Sequence, residues 1–160
     1  MIPVIWFYGL SGSGKTTLAS YAHSILPVKY YPVVFLDADE LRKEYWPEIG
    51  LSKDARLENT RRIAKLAKSY YKVKCAVIIA ACAPFQQQRE EALEILPIIK
   101  FIHVNTPLSV CRNRKPHTYG ENNQNKVTLI DAMPNPWQTI NCDQDINKSL
   151  ANLDKILDTL

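Results

Sequence analysis

Short apolar runs alternate with helical patterns along the whole chain. Pro3–Tyr8, Val33–Asp37, Cys75–Cys82 and Ile99–Val104 are continuous apolar stretches of the kind found in strands buried on both faces, and a fifth strand is expected near Thr139–Cys142. The segments between them repeat with helical spacing. Thr16–Leu26 places Leu18, Ala22 and Ile25 on one face, and Asp54–Tyr71 does the same with Ile63, Leu66, Ala67 and Tyr70. Gln86–Leu96 and Pro107–Asn113 predict shorter helices, and Ile146–Leu160 a closing helix with Ile146, Leu150, Leu153, Ile156 and Leu157 inward. Strands separated by helices need crossover connections. The pattern therefore predicts an α/β fold of three layers, with a mainly parallel sheet of about five strands flanked by helices. In such sheets ligands gather at the carboxyl ends of the strands.

One stretch breaks the pattern. Arg114–Thr139 is long, rich in Asn and Pro and weakly periodic, and a loop of that length inside a compact domain is usually functional or disordered. It follows a basic entry, Arg112-Asn113-Arg114-Lys115, suited to closing over phosphates, so 114–139 is read as a lid.

Composition narrows the classes of function. A chain of 160 residues is expected to form a single domain over 1–160, and 46% hydrophobic with 22% charged residues is an ordinary globular balance. The net charge of +4 comes without a dense Lys/Arg stripe, which favours small anionic substrates over nucleic acid as partners. Met1–Tyr8 is apolar but has no basic leader, and Gly9 ends the run, so neither an export signal nor a membrane partner is expected. Cys75, Cys82, Cys111 and Cys142 show no CxxC spacing and the chain has three His, which argues against a zinc site or a disulfide scaffold. A cytoplasmic location is expected.

Gly9-Leu-Ser11-Gly12-Ser13-Gly14-Lys15-Thr16 is a full G-x-x-x-x-G-K-[ST] match, set between an apolar strand and a helix. The glycines let backbone N–H groups curl around a β-phosphate, where the helix N-terminus adds positive potential. Lys15 would reach β/γ oxygens, and the Thr16 hydroxyl would coordinate Mg²⁺, with Thr17 beside it. The alternative, a chance Gly-rich turn, does not account for both the strand and the helix around it.

Asp37 and Asp39 leave the second strand one residue apart, followed by Arg42. Two acids at a strand's carboxyl edge can share the phosphate chemistry: one orients or deprotonates an attacking hydroxyl, the other helps hold Mg²⁺ through water. Arg42 can meet an anionic acceptor with its planar fork. The plainer reading of Asp39 is a helix cap. Further on, Arg56, Asn59 and Arg62 are spaced three apart after Ser52 and share a helix face, which suits acceptor binding as well as a solvated charged row. His103 is read as a core side chain, His23 as facing out of the first helix, and Cys75 and Cys82 as small core residues.

Taken in order, these segments resemble the adenylylsulfate (APS) kinase family of P-loop kinases over most of the chain. Its G-L-S-G-x-G-K-[ST] loop corresponds to Gly9–Thr16, and its D-G-D-x-x-R to Asp37–Arg42. Its G-F-S-x-x-D-R-x-E-N-x-R-R corresponds to Gly50–Arg62, its I-S-P-[YF]-x-x-x-R to Cys82–Arg89, and its C-x-x-R lid entry to Cys111–Arg114. The resemblance implies transfer of phosphate from ATP to the ribose 3′-hydroxyl of a nucleotide conjugate. By the same resemblance Asp39 would handle the 3′-hydroxyl, Arg42, Arg56 and Asn59 would bind the acceptor's 5′ phosphoryl groups, Ala83, Pro84 and Phe85 would line the acceptor, and Arg114 would stack near the ATP adenine. A homodimer is also allowed for.

This chain departs from the family pattern at the base. The two aromatic residues that clamp the APS adenine correspond to Leu51 and Val127, which removes two stacking faces, each worth on the order of 1 kcal/mol or more. The lid is one residue shorter, leaving Lys115 as the candidate for its phosphate-contacting lysine, and Ala55 replaces the acid before Arg56. A pyrimidine acceptor is therefore expected, as in the related cytidine diphosphoramidate kinase of capsular polysaccharide modification. The alternatives are an APS kinase that makes 3′-phosphoadenylylsulfate and stacks the adenine on Phe85 or Trp137, a kinase for an unrelated sugar or nucleic-acid base, and a nucleotide-binding module without catalysis.

Overall fold

The computed structural model describes residues 1–120, 130–132, 136–142 and 145–160. Five strands form one sheet in the order β2–β3–β1–β4–β5: β1 (Val4–Tyr8), β2 (Val33–Asp37), β3 (Ala76–Ala80), β4 (Ile99–Asn105) and β5 (Gln138–Asn141). Every pairing is parallel, with Val4 level with both Val77 and Ile99. The predicted architecture is observed, and the strand ends differ from expectation by one or two residues.

All five β1 side chains are buried, and they alternate between two cores. On one face Val4, Trp6 and Tyr8 pack with Ile63, Ala64 and Ala67 of α3 (Lys53–Lys72) and Ala92 of α4 (Gln86–Ile95). On the other, Ile5 and Phe7 pack with Leu18, Ala19 and Ala22 of α1 (Lys15–Ile25) and Leu153, Ile156 and Leu157 of α7 (Ile146–Leu157). This double burial is why β1 reads as an uninterrupted apolar run. Among the described residues there are also three shorter α-helices, α2 (Ala38–Tyr45), α5 (Leu108–Arg114) and α6 (Pro116–Tyr119), and a 3-10 turn at Leu26–Val28.

Local chemistry sets the helix starts. The Asp37 carboxylate accepts from the Asp39 and Glu40 N–H groups, Ser52 Oγ from Ala55 N, and Asp145 from Asn147 N, each satisfying an orphan donor of a first turn. The cap of α2 is thus Asp37, and Asp39 is left free of that duty. Two expected facings change. Ile146 is 48% exposed at the start of α7, and His23 lies half-buried with its ring 6.0 Å from Phe35. Of the expected lid, 121–129 and 133–135 lie outside the described residues, as does Val127; its described beginning is helical in α5 and α6.

The strand order reverses around β1, which lies between β3 and β4, with β2 beyond the one and β5 beyond the other. A crevice opens at such a switch point above the carboxyl ends of the strands, where the β1–α1 turn sits.

Candidate active site

Gly9 through Gly14 make that turn. Gly9, Gly12 and Gly14 have φ of 156°, 81° and 102°. At Gly9 a Cβ would stand 2.6 Å from the Val104 carbonyl oxygen, a backbone atom that cannot swing away. Gly9→Ala is therefore expected to destabilise by about 1–3 kcal/mol through overpacking, lowering Tm by roughly 2–4 °C per kcal/mol in a chain of this size. A thermal melt checks it.

The turn is held from several sides. Thr106 Oγ1 donates to the Ser13 carbonyl at 2.7 Å, Arg114 Nη1 donates to the Gly12 carbonyl at 3.2 Å, and the Tyr119 hydroxyl donates to the Ser11 carbonyl. The Gly9 and Ser13 N–H groups are engaged by the Cys82 and Leu10 carbonyls; holding the turn's own carbonyls in place leaves its other N–H groups for an anion. Burial pushes the Tyr119 phenol up to about 12, so it stays a neutral donor. Lys15 is buried and its Nζ donates to the Leu10 carbonyl at 2.7 Å.

A cavity of about 440 Å³ lies over the turn. It is lined by Ser11, Gly12, Ser13, Gly14, Lys15, Thr16 and Thr17, by Asp37 and Asp39 across from them, and by Arg114 and Lys115 from the lid side. Gly9 lies beneath, buried. The expected nucleotide-site residues are thus brought together, with Lys115 on the nucleotide side of the site. Cys82, Cys142, Asp145, Ile146 and Ser149 also line this cavity, and sequence reasoning missed all five as site residues, reading Cys82 as core and Ile146 as an inward position of the closing helix. The available signal was their position: Cys142 and, further on, Asp145, Ile146 and Ser149 come after the carboxyl end of β5, the ligand edge of the sheet. Thr106, just past β4, and Tyr119 were missed for the same reason.

Thr16 Oγ1 donates to Asp37 Oδ2 at 3.0 Å, which brings a hydroxyl and a carboxylate together at the edge of the cavity. Hard oxygens of this kind suit Mg²⁺, which keeps most of its waters and takes few protein ligands when phosphates accompany it. Among the described residues no group of three or more His, Cys, Asp or Glu could hold a metal ion.

Apart from Asp39 and Lys115, the expected acceptor residues among the described ones (Arg42, Leu51, Arg56, Asn59, Ala83, Pro84 and Phe85) lie beyond this cavity's lining. Arg42 Nη2 pairs with Asp39 Oδ1 at 3.0 Å. Arg56 Nε donates to the Leu51 carbonyl at 3.0 Å, and Leu51 itself is 38% exposed. Asn59 Oδ1 accepts from Trp46 Nε1 at 2.7 Å; because an indole can only donate, this fixes the amide orientation and turns the Asn59 NH₂ outward as a donor. Arg62 departs from the expected row: Glu48 and Glu58 hold it at 2.7 and 2.9 Å, and it lies 5.7 Å over the Trp46 ring. Its job is to brace Trp46. The Phe85 ring is covered by Lys53 Nζ at 5.4 Å, and Trp137 packs in the α1/α7 core, on the other face of the sheet from Ala83 and Trp46. His103 is half-buried and stacked on Tyr8 at 4.8 Å, with its basicity lowered by burial and then by the Arg89 charge.

A phosphate-binding turn at the switch point of a parallel sheet, with a lysine, a hydroxyl and two carboxylates around one cavity, defines a P-loop phosphotransferase. The chain belongs to the adenylylsulphate kinase family, whose sequence model matches residues 2–139. The adenylyl-sulfate kinase of Pseudomonas aeruginosa is 41% identical over 139 residues, spanning 85% of this chain and 71% of that protein. That of Bacillus velezensis is 33% identical over 138 residues, spanning 84% and 70%. The structure of a Mycobacterium tuberculosis APS kinase in complex with AMPPNP and APS superposes with a TM-score of 0.85 at 25% identity, covering 98% of this chain and 96% of that one. The chain is therefore an ATP-dependent phosphotransferase acting on a hydroxyl group, of the APS kinase type. The catalytic reading displaces that of a silent nucleotide-binding module. Among the described residues no helix is long and apolar enough to cross a membrane.

Proposed function

We propose that this chain transfers the γ-phosphoryl group of ATP to the ribose 3′-hydroxyl of adenylylsulfate, making 3′-phosphoadenylylsulfate. The observation that carries the reading is the family match over residues 2–139 together with a cavity that gathers Lys15, Thr16, Asp37 and Asp39. The relatives support adenylylsulfate over the cytidine conjugate expected from the sequence alone.

In this reading the P-loop amides and Lys15 hold the β- and γ-phosphates, with Lys15 exchanging the Leu10 carbonyl for phosphate oxygens. Thr16 and Asp37 would hold Mg²⁺, which when bound would supply charge neutralisation for the transferring group. Asp39 takes the proton of the 3′-hydroxyl, and Arg42 turns from Asp39 toward the acceptor's anion, joined there by Arg56 and Asn59. Arg114 packs on the ATP base, in the cavity that Cys142, Asp145, Ile146 and Ser149 also line. Lys115 and the rest of the lid exclude water, so that ATP is not hydrolysed. The four cysteines are free thiols, which fits a reducing cytoplasm. Self-association belongs to the same proposal; one structural relative, at 25% identity, is a hexameric APS kinase.

A cytidine 5′-conjugate remains the second reading, favoured by the aliphatic, half-open Leu51 and by the absence of Trp137 from the acceptor side. Initial rates with adenylylsulfate and cytidine diphosphoramidate side by side decide between them. A kcat/KM for adenylylsulfate at least about tenfold higher, or about 1.4 kcal/mol, is expected. The reverse preference replaces this reading with the second. A 3′-deoxy acceptor should bind and not turn over in either case.

A further inference from the structure

Arg89, on α4, is 1% exposed, among the largest fully buried side chains of the chain. Among the described residues no carboxylate lies within ion-pair distance of it, and burial lowers its basicity. Burying a guanidinium out of ion-pair reach of any carboxylate is costly unless its donors are matched. Asp131 and Glu90 act on it only from a distance, and Nε is left without a partner among the described residues, so the arrangement needs a reason. Its partners supply one. Nη1 donates to the carbonyls of Ala83 at 2.6 Å and Pro84 at 3.1 Å, and Nη2 to those of Asp131 at 2.7 Å and Ala132 at 3.5 Å. The guanidinium face lies 4.8 Å over the Tyr8 ring, which is itself stacked with His103 on its neighbouring strand.

One planar fork therefore joins two segments that are far apart in the chain. They meet directly as well: Asp131 N donates to the Pro84 carbonyl at 2.8 Å, and Gln86 N donates to Asp131 Oδ2 at 3.2 Å. The first segment leaves the carboxyl end of β3, directly after Ala80, Ala81 and Cys82 of the nucleotide cavity, so its path sets the wall beside that cavity. Ala83 takes a φ of 39°, a left-handed backbone that residues other than glycine adopt only under constraint. The shortest of the Arg89 bonds ends on this residue.

We propose that Arg89 is a positioning residue for the acceptor: its guanidinium staples Ala83–Pro84 to Asp131–Ala132 and thereby fixes the wall against which the acceptor nucleotide is held. This rests on the acceptor side of the proposed function, and it adds a device that acts through backbone carbonyls without touching the substrate. A lysine cannot replace it, because one ammonium cannot span two pairs of carbonyls in a plane.

The test uses the full chain with Arg89→Lys and Arg89→Ala, in initial-rate kinetics with each substrate varied in turn. A rise in the acceptor KM of about tenfold to a hundredfold is expected in both variants, with the KM for ATP within about twofold of wild type, since nothing on the P-loop is altered. Millimolar guanidinium should restore the acceptor KM of Arg89→Ala and not that of Arg89→Lys, whose ammonium fills the slot. An unchanged acceptor KM, or equal rises for ATP and acceptor, overturns the proposal. Backbone amide exchange gives a second readout that does not depend on the acceptor's identity. In Arg89→Lys, the hydrogen-bonded amides of Phe85, Gln86 and Asp131 should exchange faster together while α1 stays protected; unchanged protection there overturns the staple. Should the wild-type chain turn over neither acceptor, the functional reading fails, and the exchange result still decides the staple. If Arg89→Ala does not fold, Arg89→Lys carries both measurements.

Discussion

Lys15→Ala is expected to cut kcat/KM by about a thousandfold or more while leaving the fold in place. The magnitude follows from what the ammonium does in a closed, poorly solvated site: it meets charge that develops on the transferring group, and losing one such preorganised donor costs about 10²–10³ in rate, more where the donor is a full cation. Stability should move little. The side chain's recorded partner is the Leu10 carbonyl at 2.7 Å, and one hydrogen bond of this kind contributes about 1 kcal/mol. The turn keeps its glycine conformations and its anchors from Thr106, Arg114 and Tyr119 whatever stands at 15. Steady-state rates paired with a thermal melt separate the two effects. A variant that turns over within a few-fold of wild type would remove Lys15 from the reaction, and one that melts early would mean that Lys15 is a structural tether.

Much of the fold was legible because its strands carry an unusually plain signal. Val4–Tyr8 and Ala76–Ala80 are wholly buried and read as pure apolar runs, and alternation with helices left a parallel sheet as the only economical arrangement. The edges were harder. Val33, Val34 and Phe35 on β2 are half-buried, and Gln138, Thr139 and Asn141 on β5 are exposed, so the β5 run is short and mixed, and its bounds came out shifted by a residue. Ile146 misled because an apolar residue at helical spacing implies a core face, whereas here the first turn of α7 borders the nucleotide cavity. Helix α6 was absorbed into the lid because four residues after a proline carry no periodicity.

The P-loop side of the site was legible for a different reason. Phosphate binding by backbone amides demands glycines and a lysine at fixed spacing, so chemistry is written directly into the order of residues. The opposite wall is written in carbonyls, which any residue supplies. Arg89 illustrates this: in sequence it is the last letter of a pattern, and only the structure shows it clamping four carbonyls from two distant segments. Arg62 shows the converse error. Helical spacing placed it beside Arg56 and Asn59, but spacing cannot reveal that Glu48, from the preceding loop, and Glu58 would claim it for bracing Trp46. The base clamp was the least legible feature. Leu51 could be read as a missing aromatic, yet what replaces it depends on which rings reach that space, and Trp137 turned out to belong to the other face of the sheet.

Asp39→Asn is expected to lower kcat by about 10²–10⁴, the usual worth of a positioned general base, with the KM for ATP within about twofold of wild type. The structure sharpens this expectation by separating the two acids of the Asp37–Asp39 pair. Asp37 is committed: Oδ1 caps α2 through the Asp39 and Glu40 amides at 2.9 and 3.3 Å, and Oδ2 accepts from Thr16 at 3.0 Å. Asp39 makes no cap. It lines the nucleotide cavity, its side chain is exposed, and its partner is Arg42 at 3.0 Å. An exposed pair of this kind contributes only about 0–1 kcal/mol, so Asp39→Asn should melt close to wild type. Asp37→Asn should behave differently, losing much of the charge that faces the first turn of α2 and the Thr16 contact, with a cost of about 1 kcal/mol in stability as well as activity. Asparagine at 39 keeps the shape and can still accept from Arg42, but it cannot take a proton from the acceptor hydroxyl. Melting curves for both variants, with kcat and a titration of a non-hydrolysable ATP analogue, complete the comparison. A rate in Asp39→Asn within a few-fold of wild type would mean that no base is needed at this position, and the 3′-hydroxyl would then have to lose its proton directly to the transferred phosphoryl group.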